Sequence, residues 1–389
     1  MNRRAQVALW VAVAAALLVG GCLAQVFLPH VFIPALFWPL YALLVVFAFC
    51  FPWRSVSLRL LLAAFLAGAG PVMLVTVGAE RLLMLALERL PTLDCWLLTH
   101  LLPWGGDPGR GIVAPLAEES LKIAPLVLFL SWMRRRRWLT LGPLDIVLLA
   151  VAVGAGFDFS ESAFLAFKGD QPLGDLAWAT RAGPHLGPLY LFPSLTVQFW
   201  GASPMACFSH PGWTGTIGVA LGLAWFLGRR HRWVGALPWL AVVWAMWDHY
   251  LWNCYTDPLD SPSALLRALP ALDGYGWAMP FVMLAGIGYG AYLSARAVCR
   301  FLKADPAAAI GRPPGALIRM ALTRPGELYA FLHARRALAY GARALKQTGF
   351  SDDRLGGQML LLRAAVLDLR RGLTGEAVPA PAGAGARDG

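Results

Sequence analysis

Four apolar stretches of the chain each carry side chains that hydrocarbon penalises. They hold Glu118, Glu119 and Lys122; Glu161; His210 and Thr214; and His249 and Asn253. An ionisable group inside a membrane is costly and persists where it has a partner or a task. A carboxylate can take a proton from water, an imidazole can relay one, and an amide can donate to an oxyanion. Together these residue types suit hydrolysis within the membrane. Their spacing is consistent with shared faces. Glu118 and Glu119 lie four and three residues before Lys122, so either carboxylate can meet the ammonium on one helix face. His249 and Asn253 are one helical turn apart. His210, Thr214, Gly218 and Gly222 continue a single stripe whose glycines admit a close neighbour. Ser209 before Pro211 reads as a helix start, which places His210 beside free backbone N–H groups. Asp158 and Asp248 sit about 100° away from the key side chains on a helical wheel and are expected to act in support at most.

The elements that must position these groups are membrane spans. Of 389 residues, 58% are hydrophobic and 14% charged, more apolar than an ordinary soluble domain. Apolar segments long enough to cross a bilayer fall at 7–28, 32–52, 58–78, 112–132, 143–167, 206–227, 234–253 and 276–299. The expected fold is all-α: a polytopic transmembrane helix bundle of about eight spans with a helical cytoplasmic C-terminal region. Arg3-Arg4, Arg54, Arg59, Arg134 to Arg137, Arg229, Arg230, Arg232, Arg296, Arg300 and Lys303 all fall on one side if every segment crosses. The positive-inside rule then makes both termini cytoplasmic, in the plasma membrane of a bacterial-type cell. These clusters account for much of the excess of 33 basic over 22 acidic residues. No reading motif or basic aromatic platform accompanies them, so nucleic acid is not an expected partner.

Depth unites the polar residues. At 1.5 Å per residue, Glu118 and Glu119 lie about 9–11 Å below the outer end of their span, and Glu161 about 9 Å below its own. His210, His249 and Asn253 fall near outer ends, so up-and-down connectivity puts the whole set in the outer half of the membrane. The chain divides into N-terminal helices and an outer loop (1–111), a catalytic core (112–253), an outer loop with the last span (254–303), a cytoplasmic helical region (304–372) and a disordered tail (373–389). Loops 79–111 and 168–205 are expected outside, as interfacial helices or lids. In the cytoplasmic region Leu355, Met359, Leu362, Val366 and Leu369 form a stripe suited to packing on another helix. The first segment has a rival reading, because Arg3-Arg4, an apolar run and Val19-Gly20-Gly21-Cys22 also resemble a lipoprotein signal. The six cysteines show no metal spacing, though Cys95 and Cys254 share the outer side and could bridge.

The motifs also resemble a family. Ala117-Glu118-Glu119-Ser120-Leu121-Lys122 matches an EExxK motif, and Gly154-Ala155-Gly156-Phe157-Asp158-Phe159-Ser160-Glu161 a third segment that usually ends in Glu-Asn. His210-Pro211-Gly212-Trp213-Thr214 with Gly218 and Gly222 is similar to HxxxTxxxGxxxG, and His249-Tyr250-Leu251-Trp252-Asn253 to HxxxN. In this order they resemble the PrsW family of intramembrane proteases, which is distantly similar to type II CAAX prenyl endopeptidases and bacteriocin-processing proteins. Ser162 stands where that family usually has Asn. The resemblance implies peptide-bond hydrolysis of a membrane protein, such as an anti-sigma factor. Glu118, Glu119, His210, His249 and Asn253 would be catalytic, and Lys122, Glu161 and Thr214 supporting. Which of Glu118 and Glu119 is the base stays open. No HExxH is present, and glutamate-type relatives point to metal-free catalysis, yet His210, His249, Glu118 and Glu161 could ligate zinc. A proton-coupled transporter, whose polar residues would spread through the full membrane depth, and an inactive protease-like scaffold are the alternatives.

Overall fold

The computed structural model describes residues 29–90, 109–135, 140–167, 196–200, 203–207, 209–228, 231–254, 276–310, 314–348 and 353–374. The helices are Pro29–Cys50 (α1), Leu58–Ala67 (α2), Met73–Glu88 (α3), Ala114–Arg135 (α4), Pro143–Phe167 (α5), Ser209–Leu227 (α6), Leu237–Cys254 (α7), Ala278–Ala304 (α8), Pro314–Thr323 (α9), Pro325–Thr348 (α10) and Asp353–Thr374 (α11). Helices therefore occupy each expected apolar segment from 32–52 to 276–299. The segment 7–28 with Cys22, the Cys95–Cys254 pairing and the tail beyond Thr374 lie outside the described residues. Among the described residues, three helices are long and apolar enough to cross a membrane: Leu58–Glu88, Pro143–Leu165 and Ala278–Ala304. Large apolar side chains on the bundle's outside, among them Leu74, Leu82, Trp239, Leu240, Val243 and Phe281, are more than half exposed. Such a surface suits lipid rather than water.

One boundary is corrected. The third apolar segment does not end at 78. It continues as one 31-residue helical stretch to Glu88, through a π-helical turn at Gly68–Val72 that accommodates Pro71. Glu80 and Arg81 interrupt the apolar run, but Ala79-Glu80-Arg81-Leu82-Leu83-Met84 are strong helix formers and carry the helix on. Of the loop expected at 168–205, the residues described form strand, and 168–195 lie outside the described residues. Thr196–Trp200 (β1) pairs antiparallel with Ser203–Cys207 (β2), Thr196 opposite Cys207 and Trp200 opposite Ser203. Thr, Val, Phe and Trp in β1 are strand formers.

α5 is the axis of the bundle. Every residue from Leu141 to Phe157 is buried, as expected for a helix that is apolar all round. Its most extensive partner is α6, and α1 and α2 also pack on it. Two glycines allow these approaches. A Cβ at Gly156 would lie 1.9 Å from the Phe65 carbonyl oxygen of α2, and one at Gly154 would lie 2.5 Å from the His210 carbonyl oxygen of α6. The Gly218 and Gly222 stripe of α6 faces Ala150 and Pro143 of α5.

The start of α5 is pinned by Asp145. Its carboxylate accepts from Ser55 N–H at 2.5 Å, Ser55 Oγ at 2.5 Å, Val56 N–H at 2.8 Å and Gly142 N–H at 2.7 Å. The bond to Gly142, three residues back, is the reach of an N3 acid to a helix start. The C-terminal helices cover this same end. Tyr340 Oη donates to the Trp53 carbonyl at 2.7 Å, Arg336 to the Arg54 carbonyl at 3.1 Å, and Arg343 to the Phe226 carbonyl at 2.9 Å. α10 and α11 close their own core around Phe331, Leu338, Met359, Val366 and Leu373, with Leu362 and Leu369 packed against it. Met359, Leu362, Val366 and Leu369 of the stripe expected on α11 thus lie on its packing face. Arg363 pairs with Asp305, at 2.6 Å and 3.2 Å, tying α11 to the end of α8.

Candidate active site

The far end of α5 gathers polar groups from four helices. α4 supplies Glu118, Glu119 and Lys122, all buried. α5 supplies Asp158 and Glu161, α6 supplies His210, and α7 supplies His249. The centre is the Lys122 ammonium. Its Nζ lies 2.6 Å from Glu119 Oε1, 3.1 Å from Glu118 Oε2 and 2.5 Å from His210 Nδ1. The contacts to Glu119 and His210 are hydrogen bonds, and that to Glu118, whose Oε2 has no hydrogen-bond partner among the described residues, is an ion pair; an ammonium can only donate. That assigns the His210 tautomer: Nδ1 accepts, so Nε2 carries hydrogen and donates to Glu161 Oε2. His249 Nδ1 donates to Glu119 Oε1 at 3.0 Å. The other oxygen of Glu119, Oε2, is buried and has no hydrogen-bond partner among the described residues.

Aromatic rings wall the cluster. Trp213 stacks on His249, with centroids 4.2 Å apart and planes at 17°. Its indole N–H donates to Asp248 Oδ2. Phe157 and Trp213 put their rings 4.4 Å and 5.7 Å from Lys122 Nζ, within range of cation–π attraction. His210 follows Ser209, a non-glycine residue at φ 50°, a backbone state that costs about 1 kcal/mol and persists where surroundings hold it. Side-chain exposure rises from 0% at Glu119 to 25% at Glu161, so the cluster opens on the Glu161 side.

Of the residues named from sequence, Glu118, Glu119, Lys122, Glu161, His210 and His249 form one contiguous network. Thr214 is fully buried one turn below His210 and packs against Gly154. Its hydroxyl has no hydrogen-bond partner among the described residues. Asn253 is half-buried one turn beyond His249. Asp158, set aside on the helical wheel, comes within 4.8 Å of Glu161 and His210 ligand atoms. Asp248 reaches the site through Trp213. Sequence reasoning missed Trp213, whose signal was its place three residues after His210 on the same face. It also missed Glu80 of α3, which lies close enough to Glu118 and Glu161 to feel their charge.

Residues 56–287 match the model of the PrsW family intramembrane metalloprotease. The chain belongs to the PrsW family. No curated protein and no solved structure matches it. Membership makes it an integral membrane protein and a protease whose substrate is another membrane protein in the lipid bilayer. The PrsW description names a metalloprotease, and the donor set fits a metal. Glu118, Glu119, His210 and His249 each offer one ligand atom, all within 4.8 Å of one another, and carboxylate oxygen with imidazole nitrogen suits zinc. The free lone pairs of Glu119 Oε2 add to that fit. Glu161 falls in a second such group, with Asp158 and His210. The same atoms already serve a cation, however. Lys122 engages Glu118, Glu119 and His210, so a metal there would compete with an ammonium for their lone pairs.

Proposed function

We propose that this protein is an intramembrane endopeptidase of the glutamate type, working with Lys122 as its resident cation. The observation that carries this reading is the meeting of two acids and two imidazoles in one buried, half-open cluster. Glu119 is held by both Lys122 and His249, which suits an anchor. Glu118 has the longer contact to Lys122 and takes the part of general base. A water attacks the scissile carbonyl carbon and gives its proton to Glu118. As the C–N bond breaks, the leaving amine takes that proton back. Doubly protonated His249, its Nδ1–H given to Glu119, donates Nε2–H to the developing oxyanion together with the Asn253 amide. His210 has both nitrogens engaged, by Lys122 and Glu161, and acts as a strut rather than a proton donor to substrate. Thr214 backs the strut from one turn below.

A second reading, favoured by the donor set, has Glu118, Glu119, His210 and His249 holding a zinc ion for Lewis-acid activation of water. Both readings share a substrate class. The cluster sits at the end of α5 opposite the arginine-flanked Asp145 end, and the positive-inside rule directs that opposite end outward. A single-span protein whose scissile bond lies near the extracytoplasmic surface, such as an anti-sigma factor, fits this placement. Quantitative proteomics of membranes holding wild type or Glu118→Gln tests it. One or a few single-span proteins should accumulate intact with the variant; identical membrane proteomes would remove the protease reading.

A further inference from the structure

The β1–β2 sheet lies beside the active site by connectivity. β2 ends at Cys207 and His210 follows three residues later in the first turn of α6, so at most about 10 Å of chain separates them. β2 also packs against α7, the helix that carries His249 and Asn253. Each strand has one edge without a strand partner among the described residues, and the register tells the two edges apart. Phe199 stands opposite Pro204. Proline has no N–H to give a ladder, so these two form a pair that exchanges no hydrogen bonds. By the alternation of an antiparallel ladder, Val197 opposite Ala206 is another such pair. Val197 and Phe199 therefore turn their N–H and C=O groups to the open edge of β1. On the open edge of β2 the corresponding residues are Pro204 and Ala206, and Pro204 leaves that edge one donor short.

A membrane-spanning substrate is helical, with each carbonyl bonded inside its own helix. Attack on one of them requires the helix to open locally, and the N–H and C=O groups set free are costly to leave unpaired away from water. We propose that the open edge of β1 receives them: an extended segment of the single-span substrate, beside its scissile bond, adds as a third strand and pairs with the main chain of Val197 and Phe199, an inference that rests on the protease reading. Three strands also complete a sheet that is marginal with two. Because the contacts are main chain to main chain, the edge selects for a segment able to unwind rather than for particular side chains.

The test uses full-length protein in proteoliposomes with an internally quenched single-span peptide that wild type cleaves. The peptide is made as a series, each member N-methylated at one main-chain nitrogen two to six residues from the scissile bond. A strand offers every second N–H to one neighbour, so kcat/KM should fall at least tenfold at alternate positions and stay within threefold between them. A flat series, or equal losses at successive positions, overturns strand addition; a flat series is also the result if another segment of this chain fills the edge. On the enzyme, Val197→Pro and Phe199→Pro should each lose at least tenfold more kcat/KM than the alanine variants at the same positions. Ala206→Pro, which removes a donor from the other edge, should stay within threefold of wild type, and a loss there equal to that of Val197→Pro sinks the choice of edge. If a proline variant fails to fold, the methylated series on wild type decides alone. Glu118→Gln keeps the two readings distinguishable. It should bind a singly labelled version of the series with the same alternation, read by fluorescence anisotropy in detergent, and cleave none of it. Cleavage by Glu118→Gln at the wild-type rate removes the base assignment, whereas binding without alternation removes strand addition.

Discussion

Two buried carboxylate centres stand at opposite ends of α5, and they are built in opposite ways. At one end Asp145 accepts four hydrogen bonds from uncharged donors on Ser55, Val56 and Gly142. At the other, Glu119 is bound by an ammonium and an imidazole and keeps Oε2 without a partner among the described residues. Sixteen residues, about 24 Å of helix, separate Asp145 from Glu161. Asp145 is complete: its acceptors are spent on the loop that enters α2, and the C-terminal helices seal it. The Glu119 centre is charged, crowded and unfinished, as a site must be if water or a scissile bond is to enter. A buried acid by itself therefore says little. What its oxygens have left to offer distinguishes a fastener from a reaction centre.

The largest expected effect falls on the open centre. Glu118→Gln keeps the shape of the side chain but cannot take a proton, and general-base contributions run to about 10³-fold. Cleavage of a reconstituted substrate should fall by about that factor with the unfolding midpoint within a few degrees of wild type. Asp145→Asn should do the reverse. It replaces a carboxylate that accepts four bonds by an amide that can accept with only one oxygen and turns an N–H toward donors. Hydrogen bonds to a charged group are worth roughly 1.5–3 kcal/mol each, so a loss of about 3 kcal/mol is expected. Unfolding in mixed micelles should show it, while kcat per folded molecule stays within twofold. If both substitutions instead struck activity alike, the contrast between the two ends would collapse.

How much of this contrast the residues announced depends on what each feature needs. The start of α5 at Pro143 was legible because Gly142-Pro143 punctuates a long apolar run. The acids, imidazoles and lysine of the open centre were legible because each is costly in its own apolar stretch. Their pairing was not. Whether His249 meets Glu119 or Glu118 depends on the rotation of α7 against α4, and periodicity within one helix carries no information about rotation between two. Glu80 was hidden for a different reason: its charge, with that of Arg81, ended the apolar window at 78, so the residue fell into an expected loop. The nearness of Asp158 to the site was not legible because a helical wheel treats each helix alone, whereas His210 of α6 lies within 4.8 Å of both Asp158 and Glu161 ligand atoms.

An intermediate effect should come from the glycine that joins the two ends of the comparison. Gly154 belongs to the α5 backbone, yet its missing Cβ is what lets the His210 turn of α6 settle, with 2.5 Å from that Cβ position to the His210 carbonyl oxygen. Gly154→Ala must push α6 away, an overpacking cost of about 2 kcal/mol. Because the displaced residue is His210, kcat should drop about tenfold more than the same cost placed at Gly156, where the neighbour is Phe65 of α2. Equal kcat for the two alanine variants would mean that the His210 strut tolerates displacement.

The smallest expected effect concerns the cation at the centre. Lys122 hydrogen-bonds Glu119 and His210 and pairs with Glu118, and all three also belong to the metal-capable groups. If the ammonium is the working cation, exhaustive dialysis against a chelator should change kcat by less than twofold, and metal analysis of active protein should find well under one zinc per chain. Lys122→Ala would then be the informative companion. It leaves two buried carboxylates facing each other without a counter-charge, which costs about 3–5 kcal/mol, and it opens the same lone pairs to a divalent ion. Added zinc should raise the unfolding midpoint of that variant and leave wild type unmoved. A wild-type enzyme that loses activity on chelation and regains it with zinc would reverse the assignment, with Lys122 then steering the carboxylates toward the metal rather than standing in its place.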